Sequence, residues 1–266
     1  MAYDARNKDV VMFGGIGRSD TWTWDGSVWT QRHPGTWPQR TVGVMLYDDA
    51  LGEVLFVDEQ ITVWAWNGKD WSRVGADGAP PALAYTGSQG THVSAGYDPQ
   101  LGGLVVLAND WSTQPAQSTY VTWSWNGSNW TKLGQESTAL NRGPDSANGE
   151  LVFDPQAARF VSVGNGSSGA TWTWNPAHWV EAPQPFGSGG PAVYSPQLGG
   201  IVTVTACTGP LACGDGQTVW LDRSGVWTKI GADSQDKPVD VEAMTSDPDR
   251  GLLVVLGCAT LVCAPA

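Results

Sequence analysis

The sequence predicts an all-β chain made by repeating one four-stranded antiparallel unit. A tryptophan followed by a second one seven positions on occurs five times, at Trp22/Trp29, Trp64/Trp71, Trp123/Trp130, Trp172/Trp179 and Trp220/Trp227. The first members lie 42, 59, 49 and 48 residues apart, a period belonging to stacked β units rather than to one irregular domain. No window of about eleven residues holds a convincing 3.6-residue apolar period, so almost no helix is expected.

The first unit reads Ala2-Tyr3-Asp4, then Val10-Val11-Met12-Phe13-Gly14-Gly15, then Thr21-Trp22-Thr23-Trp24-Asp25-Gly26, then Trp29-Thr30. Each piece is short, rich in β-branched and aromatic residues, and bounded by Gly, Asp, Asn or Pro, which is how strands and turns read. The first strand recurs as Leu46-Tyr47-Asp48, Gly96-Tyr97-Asp98, Val152-Phe153-Asp154 and Val193-Tyr194-Ser195. The second recurs as Val54-Leu55-Phe56, Leu104–Leu107, Phe160–Val163, Ile201–Val204 and Leu252–Val255. Between these strands stand Asp98-Pro99, Asp154-Pro155 and Asp247-Pro248. Asp bonds its own backbone two residues on and Pro presets φ, so tight reversals are expected. Between the third and fourth strands stand Asp25-Gly26, Asn67-Gly68 and Asn126-Gly127, dipeptides that suit two-residue hairpin turns with positive φ.

Four-stranded sheets repeating with this period resemble the kelch-type β-propeller, the architecture of the central domain of galactose oxidase. The matching residues are Phe13-Gly14-Gly15, the Tyr-Asp of the first strand and the spaced tryptophans of the third and fourth. The resemblance covers nearly the whole chain and implies a fold rather than one activity. Later units depart from it: the Gly-Gly doublet is lost after the first, and Asp222 stands where Trp24 has its counterparts. The expectation is a single propeller domain over 1–266, with units at about 1–43, 44–93, 94–149, 150–190, 191–240 and a partial 241–266. That makes about six blade positions, the last incomplete; a seven-bladed parent cut short is the alternative. The edge of Leu252–Leu256 is then a place for self-association, since an unpaired strand edge templates another strand.

Charged residues make up 15% of the chain, against roughly 25% in ordinary soluble proteins. Polar surface drawn from Ser, Thr, Gly and Asn suits a secreted or cell-surface protein. With a net charge of −12 and only 14 scattered Lys and Arg, nucleic-acid and membrane-surface roles are not expected. The stretch Gly251–Ala266 is too short to insert in a bilayer, which takes about 20 residues. No signal segment opens the sequence, so a mature or excised domain is expected.

The cysteines fall late, as Cys207…Cys213 and Cys258…Cys263. Local bridges 207–213 and 258–263 are the simplest of the three connectivities, and they fit an oxidising compartment. Metal binding is the rival reading, but His33, His92 and His178 lie in distant units, so no metal or other cofactor is expected. The copper chemistry of galactose oxidase would need histidine and tyrosine ligands and a tyrosine–cysteine crosslink, which this chain does not offer. Gly169-Ala170-Thr171-Trp172 is similar to the end of a sialidase Asp-box, yet Ser167 stands in place of the aspartate.

Strand order places the one-to-two and three-to-four turns on one face and the long, varied two-to-three and four-to-one connections on the other. Variable loops over a rigid scaffold are where binding surfaces are built. The repeated tryptophans are read as wedges between neighbouring sheets. Trp37 and Trp111 lie outside the repeat, in the long connections, and are candidates for stacking on a ligand. Asp58 and Asp110 follow the second strands of their units and complete the candidate ligand set together with Asn165. Asn126, Asn129 and Asn165 also match the glycosylation acceptor, though two of these read first as turn residues. The expected function is an extracellular module that recognises a carbohydrate or partner protein on the long-loop face without catalysis. The alternative is an extracellular carbohydrate-active hydrolase or lyase using loop carboxylates such as Asp58 and Asp110.

Overall fold

Alternation of apolar and polar residues over short, turn-bounded runs folds this chain into strands alone. The computed structural model describes residues 1–15, 17–39, 41–75, 93–110, 118–138, 150–164, 170–175, 178–186, 189–205, 218–230 and 240–258. Among these, every regular element is a β-strand. The first sheet holds β1 (Ala2–Asp4), β2 (Asp9–Phe13), β3 (Thr21–Trp24) and β4 (Trp29–Arg32). The second holds β5 (Gly43–Asp48), β6 (Glu53–Asp58), β7 (Val63–Trp66) and β8 (Trp71–Val74). The third holds β9 (Val93–Asp98), β10 (Gly103–Asp110), β11 (Ser118–Trp125) and β12 (Trp130–Thr138). The fourth holds β13 (Glu150–Asp154), β14 (Arg159–Val163), β15 (Thr171–Asn175) and β16 (His178–Ala182). The fifth holds β17 (Gly189–Ser195), β18 (Gly200–Thr205), β19 (Val219–Arg223) and β20 (Val226–Ile230). A last pair, β21 (Asp240–Asp247) and β22 (Leu252–Cys258), forms a two-stranded sheet.

Each four-stranded sheet is an antiparallel meander in sequence order. Five complete blades are therefore present among the described residues, rather than about six. The sixth repeat contributes only the ribbon β21–β22, because the residues that carry β3-like and β4-like strands elsewhere have no counterpart within 240–258.

The chain divides into two compact units, the first essentially Met1–Ala147 and the second essentially Asn148–Ala266. In the first, Val11 and Phe13 of one sheet pack with Val54, Phe56, Trp66 and Trp71 of the next. Leu55, Val57 and Ala65 pack in turn with Leu104, Val106 and Trp125 of the third sheet. In the second unit, Val161 and Val163 meet Ala192 and Ile201, while Val202 and Leu221 meet Met244. Face-to-face stacking of sheets buries both faces of the second strands β6, β10, β14 and β18, which explains the unbroken apolar runs there.

The tryptophans sit where the wedge reading places them in the clearest cases. Trp71 is 1% exposed, lies 5.2 Å from the Phe13 ring of the preceding sheet, and donates its Nε1–H to Thr21 Oγ1 there at 3.0 Å. Ring contact, however, follows a shorter spacing than the repeated pair. Cross-strand neighbours Trp24/Trp29, Trp66/Trp71, Trp125/Trp130 and Trp174/Trp179 stand 6.3, 5.4, 6.1 and 5.2 Å apart. Directly opposed residues of a hairpin are the ones whose side chains meet.

The turns are built as Asp and Asn suggest, with one correction. Asp4, Asp48, Asp98 and Asp154 each accept the backbone N–H groups two and three residues on, at 2.8–3.3 Å. Asp25, Asn67 and Asn126 do the same between the third and fourth strands. These latter loops hold four residues, not two, since Trp24 pairs with Trp29 and Trp66 with Trp71. The side-chain oxygen stabilises the longer loop by taking two amides that no strand partner reaches. Among the described residues a two-residue turn occurs at Ser224-Gly225, with φ of 57° and 91°, where Arg223 pairs with Val226.

Candidate functional site

In the first sheet the β2–β3 loop and the β4–β5 connection are drawn together by their backbones. Gly14 N–H donates to Asp20 O and Gly15 N–H to Thr41 O, both at 3.2 Å. Gly14 has φ 77°, and a Cβ there would stand 2.6 Å from Thr41 O. Only glycine permits both the left-handed backbone and this approach. The Gly14-Gly15 doublet that ends the second strand of the first unit is thus the joint between the two loops.

The β4–β5 connection is also fastened to the second sheet. Gly35 N–H donates to Asp70 Oδ1 at 2.6 Å, Thr36 Oγ1 donates to Trp71 O at 2.5 Å, and Trp71 N–H returns a bond to Thr36 O at 3.2 Å. Pro38 is buried. Trp37 lies between these two anchor points with 41% of its surface exposed. An indole facing water on a doubly fastened connection is presented, not left over from packing.

Trp37 closes one side of a cavity of about 350 Å³ whose other polar walls are Arg18, Ser19, Asp20, Gln31, Arg32 and His33. That volume falls in the range of small-molecule sites. Asp20 accepts Trp22 Nε1–H at 2.6 Å. Arg32 donates from Nε to Thr23 Oγ1 at 2.9 Å. The cavity therefore offers an aromatic face, a row of cationic and amide donors, and one carboxylate already bonded to an indole. It can take a ring against Trp37 and hydrogen-bond its substituents.

Of the residues singled out in the sequence, Trp37 lines this cavity. Asp58 does not: it is 3% exposed, and its Oδ1 accepts Gln60 N–H and Thr62 N–H, each at 2.9 Å, in the turn after β6. That is turn-capping geometry. Asp110 ends β10, and its side chain lies outside the described residues, as do Trp111 and Asn165. Cys207, Cys213 and Cys263 fall outside them too, along with the side chain of Cys258 at the end of β22. Sequence reasoning passed over Arg18, Asp20, Arg32 and His33. The Gly14-Gly15 doublet was the one signal that a loop there approaches another chain segment.

No protein-family model matches the sequence, and a comparison with curated proteins finds no match. Solved structures do match in shape. One described as the structure of YjhT superposes with a TM-score of 0.56 at 15% identity, over 96% of this chain and 88% of that one. The six-bladed fungal lectin of Aleuria aurantia, described with a novel mode of fucose recognition, gives 0.53 at 13% identity, over 90% and 79%. A putative oxidoreductase (glucose dehydrogenase) from Thermus thermophilus gives 0.52 at 14% identity, over 94% and 86%. The fold is a β-propeller. In this propeller the Trp37 cavity belongs to the first blade and opens where its β2–β3 and β4–β5 connections meet, the long-loop face.

Proposed function

We propose that this propeller is a non-catalytic carbohydrate-binding module whose first blade seats a sugar ring against Trp37. The observation that carries the reading is the exposed indole, fixed at both ends of its connection, beside the hydrogen-bonding groups of Arg18, Gln31, Arg32 and His33. A pyranose has an apolar face for an aromatic plane and a rim of hydroxyls for such donors and acceptors. The site is shallow and open, and its indole beside a row of hydrogen-bonding groups suits a sugar ring. The lectin with a similar fold shows that a propeller can serve this purpose.

Hydrolysis would need a pair of carboxylates about 5–10 Å apart flanking the bond. Among the described residues lining the cavity the carboxylate is Asp20, and it is held by Trp22. Asp110, Trp111 and Asn165 are proposed as contacts within the connections of their own blades. The kelch type, the two local disulfides and an extracellular location belong to the same proposal, resting on the Tyr-Asp and tryptophan spacing, the close cysteine pairs and the low charge content.

A glycan array probed with the full chain, followed by a reducing-sugar assay on every saccharide bound, tests this. Binding without turnover is expected. Trp37→Ala should weaken the best ligand at least about tenfold, or ~1.4 kcal/mol. Turnover of a bound sugar, abolished by Asp110→Asn, would establish the hydrolase instead.

A further inference from the structure

The charge of the Trp37 cavity runs against the charge of the chain. The protein carries −12 overall, with 26 acidic and 14 basic residues. Yet two arginines, Arg18 and Arg32, come together on this one wall beside the imidazole of His33, with a single carboxylate, Asp20, among the described lining residues. That carboxylate accepts Trp22 Nε1–H at 2.6 Å.

Arg32 is the group that gives this arrangement a direction. Its Nε–H is fixed on Thr23 Oγ1 at 2.9 Å, and Thr23 is itself 3% exposed in the centre of the blade. One bond from a buried hydroxyl sets the plane of the guanidinium and uses one of its five N–H groups. Among the described residues Arg32 makes no ion pair, in contrast to Arg159 and Arg250, each of which reaches an aspartate within 4.0 Å. A planar fork held at Nε offers its two terminal nitrogens together, the geometry that matches two oxygens of a carboxylate or sulfate.

Resting on the carbohydrate reading above, we infer that the ligand is an acidic saccharide, with a carboxylate or sulfate on the ring that stacks against Trp37. Arg32 receives the anionic group, His33 offers its imidazole as a hydrogen-bonding partner at the same wall, and Trp37 takes the apolar face of the ring. A neutral sugar gains from the indole and from single hydroxyl bonds, and offers no pair of anionic oxygens to the guanidinium fork.

Calorimetric titration of the full chain separates the possibilities, using an oligogalacturonide, a neutral galacto-oligosaccharide of equal length and a sulfated galacto-oligosaccharide. At least one acidic ligand should bind tenfold or more tightly than the neutral one, with affinity falling as salt rises. The carboxylated and sulfated ligands compared side by side show which anion is preferred. Arg32→Gln should remove most of the acidic preference by weakening the acidic ligand far more than the neutral one, and Arg32→Lys, which keeps charge but loses the fork, should fall between. Trp37→Ala should weaken every ligand, and thermal melts of each variant confirm that it is folded. Equal affinity for neutral and acidic sugars, or an Arg32→Gln variant that keeps the preference, overturns the acidic assignment while leaving the carbohydrate reading intact. Absence of binding to all three ligands, or indifference to Trp37→Ala in a folded variant, overturns both.

Discussion

At the fourth residue of each turn from first to second strand, the backbone enters the left-handed region. Four of these positions are glycine, Gly52, Gly102, Gly199 and Gly251, while Lys8 and Ala158 adopt φ of 60° and 50° without being glycine. Left-handed backbone costs an L residue roughly 1–2 kcal/mol, and the extra unfolded-state freedom of glycine takes back about 0.4–1. Ala158→Gly should therefore stabilise the protein by about 0.5–1 kcal/mol, read from the midpoint of urea unfolding. Gly14→Ala should do the opposite. The added methyl at 2.6 Å from Thr41 O, on a backbone with φ 77°, should cost more than about 1 kcal/mol and loosen the floor of the Trp37 cavity.

Asp48 adds a pH dependence at the same scale. It is 2% exposed, and burial holds its carboxyl above the usual range against the pull of the Leu51 and Ala50 amides. A carboxyl raised on folding takes up its proton more readily in the native state. Its contribution to stability is thus full below the unfolded pKa and lost as pH rises through the folded one. Asp48→Asn keeps the Oδ1 acceptor and removes the charge. Denaturant midpoints measured from neutral pH downward should show native Asp48 gaining stability relative to Asp48→Asn as the pH falls.

Between elements, the tryptophans do two jobs that their spacing does not distinguish. The cross-strand partners, such as Trp66 and Trp71, hold a hairpin together, whereas Trp71 also reaches the preceding blade through Phe13 and Thr21. Trp71→Ala should cost about 3–5 kcal/mol, the range for removing a large buried aromatic side chain. Trp71→Phe should cost less, because it keeps a six-membered ring in the core while losing the rest of the indole and the bond to Thr21. The difference between the two, measured by chemical denaturation, separates packing from hydrogen bonding.

At the scale of the whole molecule, the described residues form five four-stranded blades and one two-stranded ribbon, joined by connections of unequal length. The ribbon presents Leu252, Val255 and Leu256 at 44%, 40% and 37% exposure. The proposed bridges Cys207–Cys213 and Cys258–Cys263 belong to this scale, because a closed loop lowers the entropy of the entire unfolded chain. Each should lower the mass of the native protein by two hydrogens relative to the reduced form, with both bridges local in a digest. Free thiols in oxidised material would remove that proposal and much of the support for an extracellular location.

The sequence by itself determined the strands, their antiparallel order and the capped turns of this propeller. All three depend on residues close together in the chain: apolar alternation, β-branched runs, and Asp or Asn reaching amides two and three positions on. It also pointed to Trp37, because an indole outside the repeat has no packing position to fill. Tertiary structure alone decided which tryptophans touch and that Asp58 caps a turn. It alone brought Arg18 and Asp20 of one loop beside Arg32, His33 and Trp37 of another. The joint that does so is Gly14 against Thr41, residues 27 positions apart whose approach depends on how the blade folds back on itself. Local rules act over a few residues, whereas a site assembled from two connections exists only once the strands between them have paired.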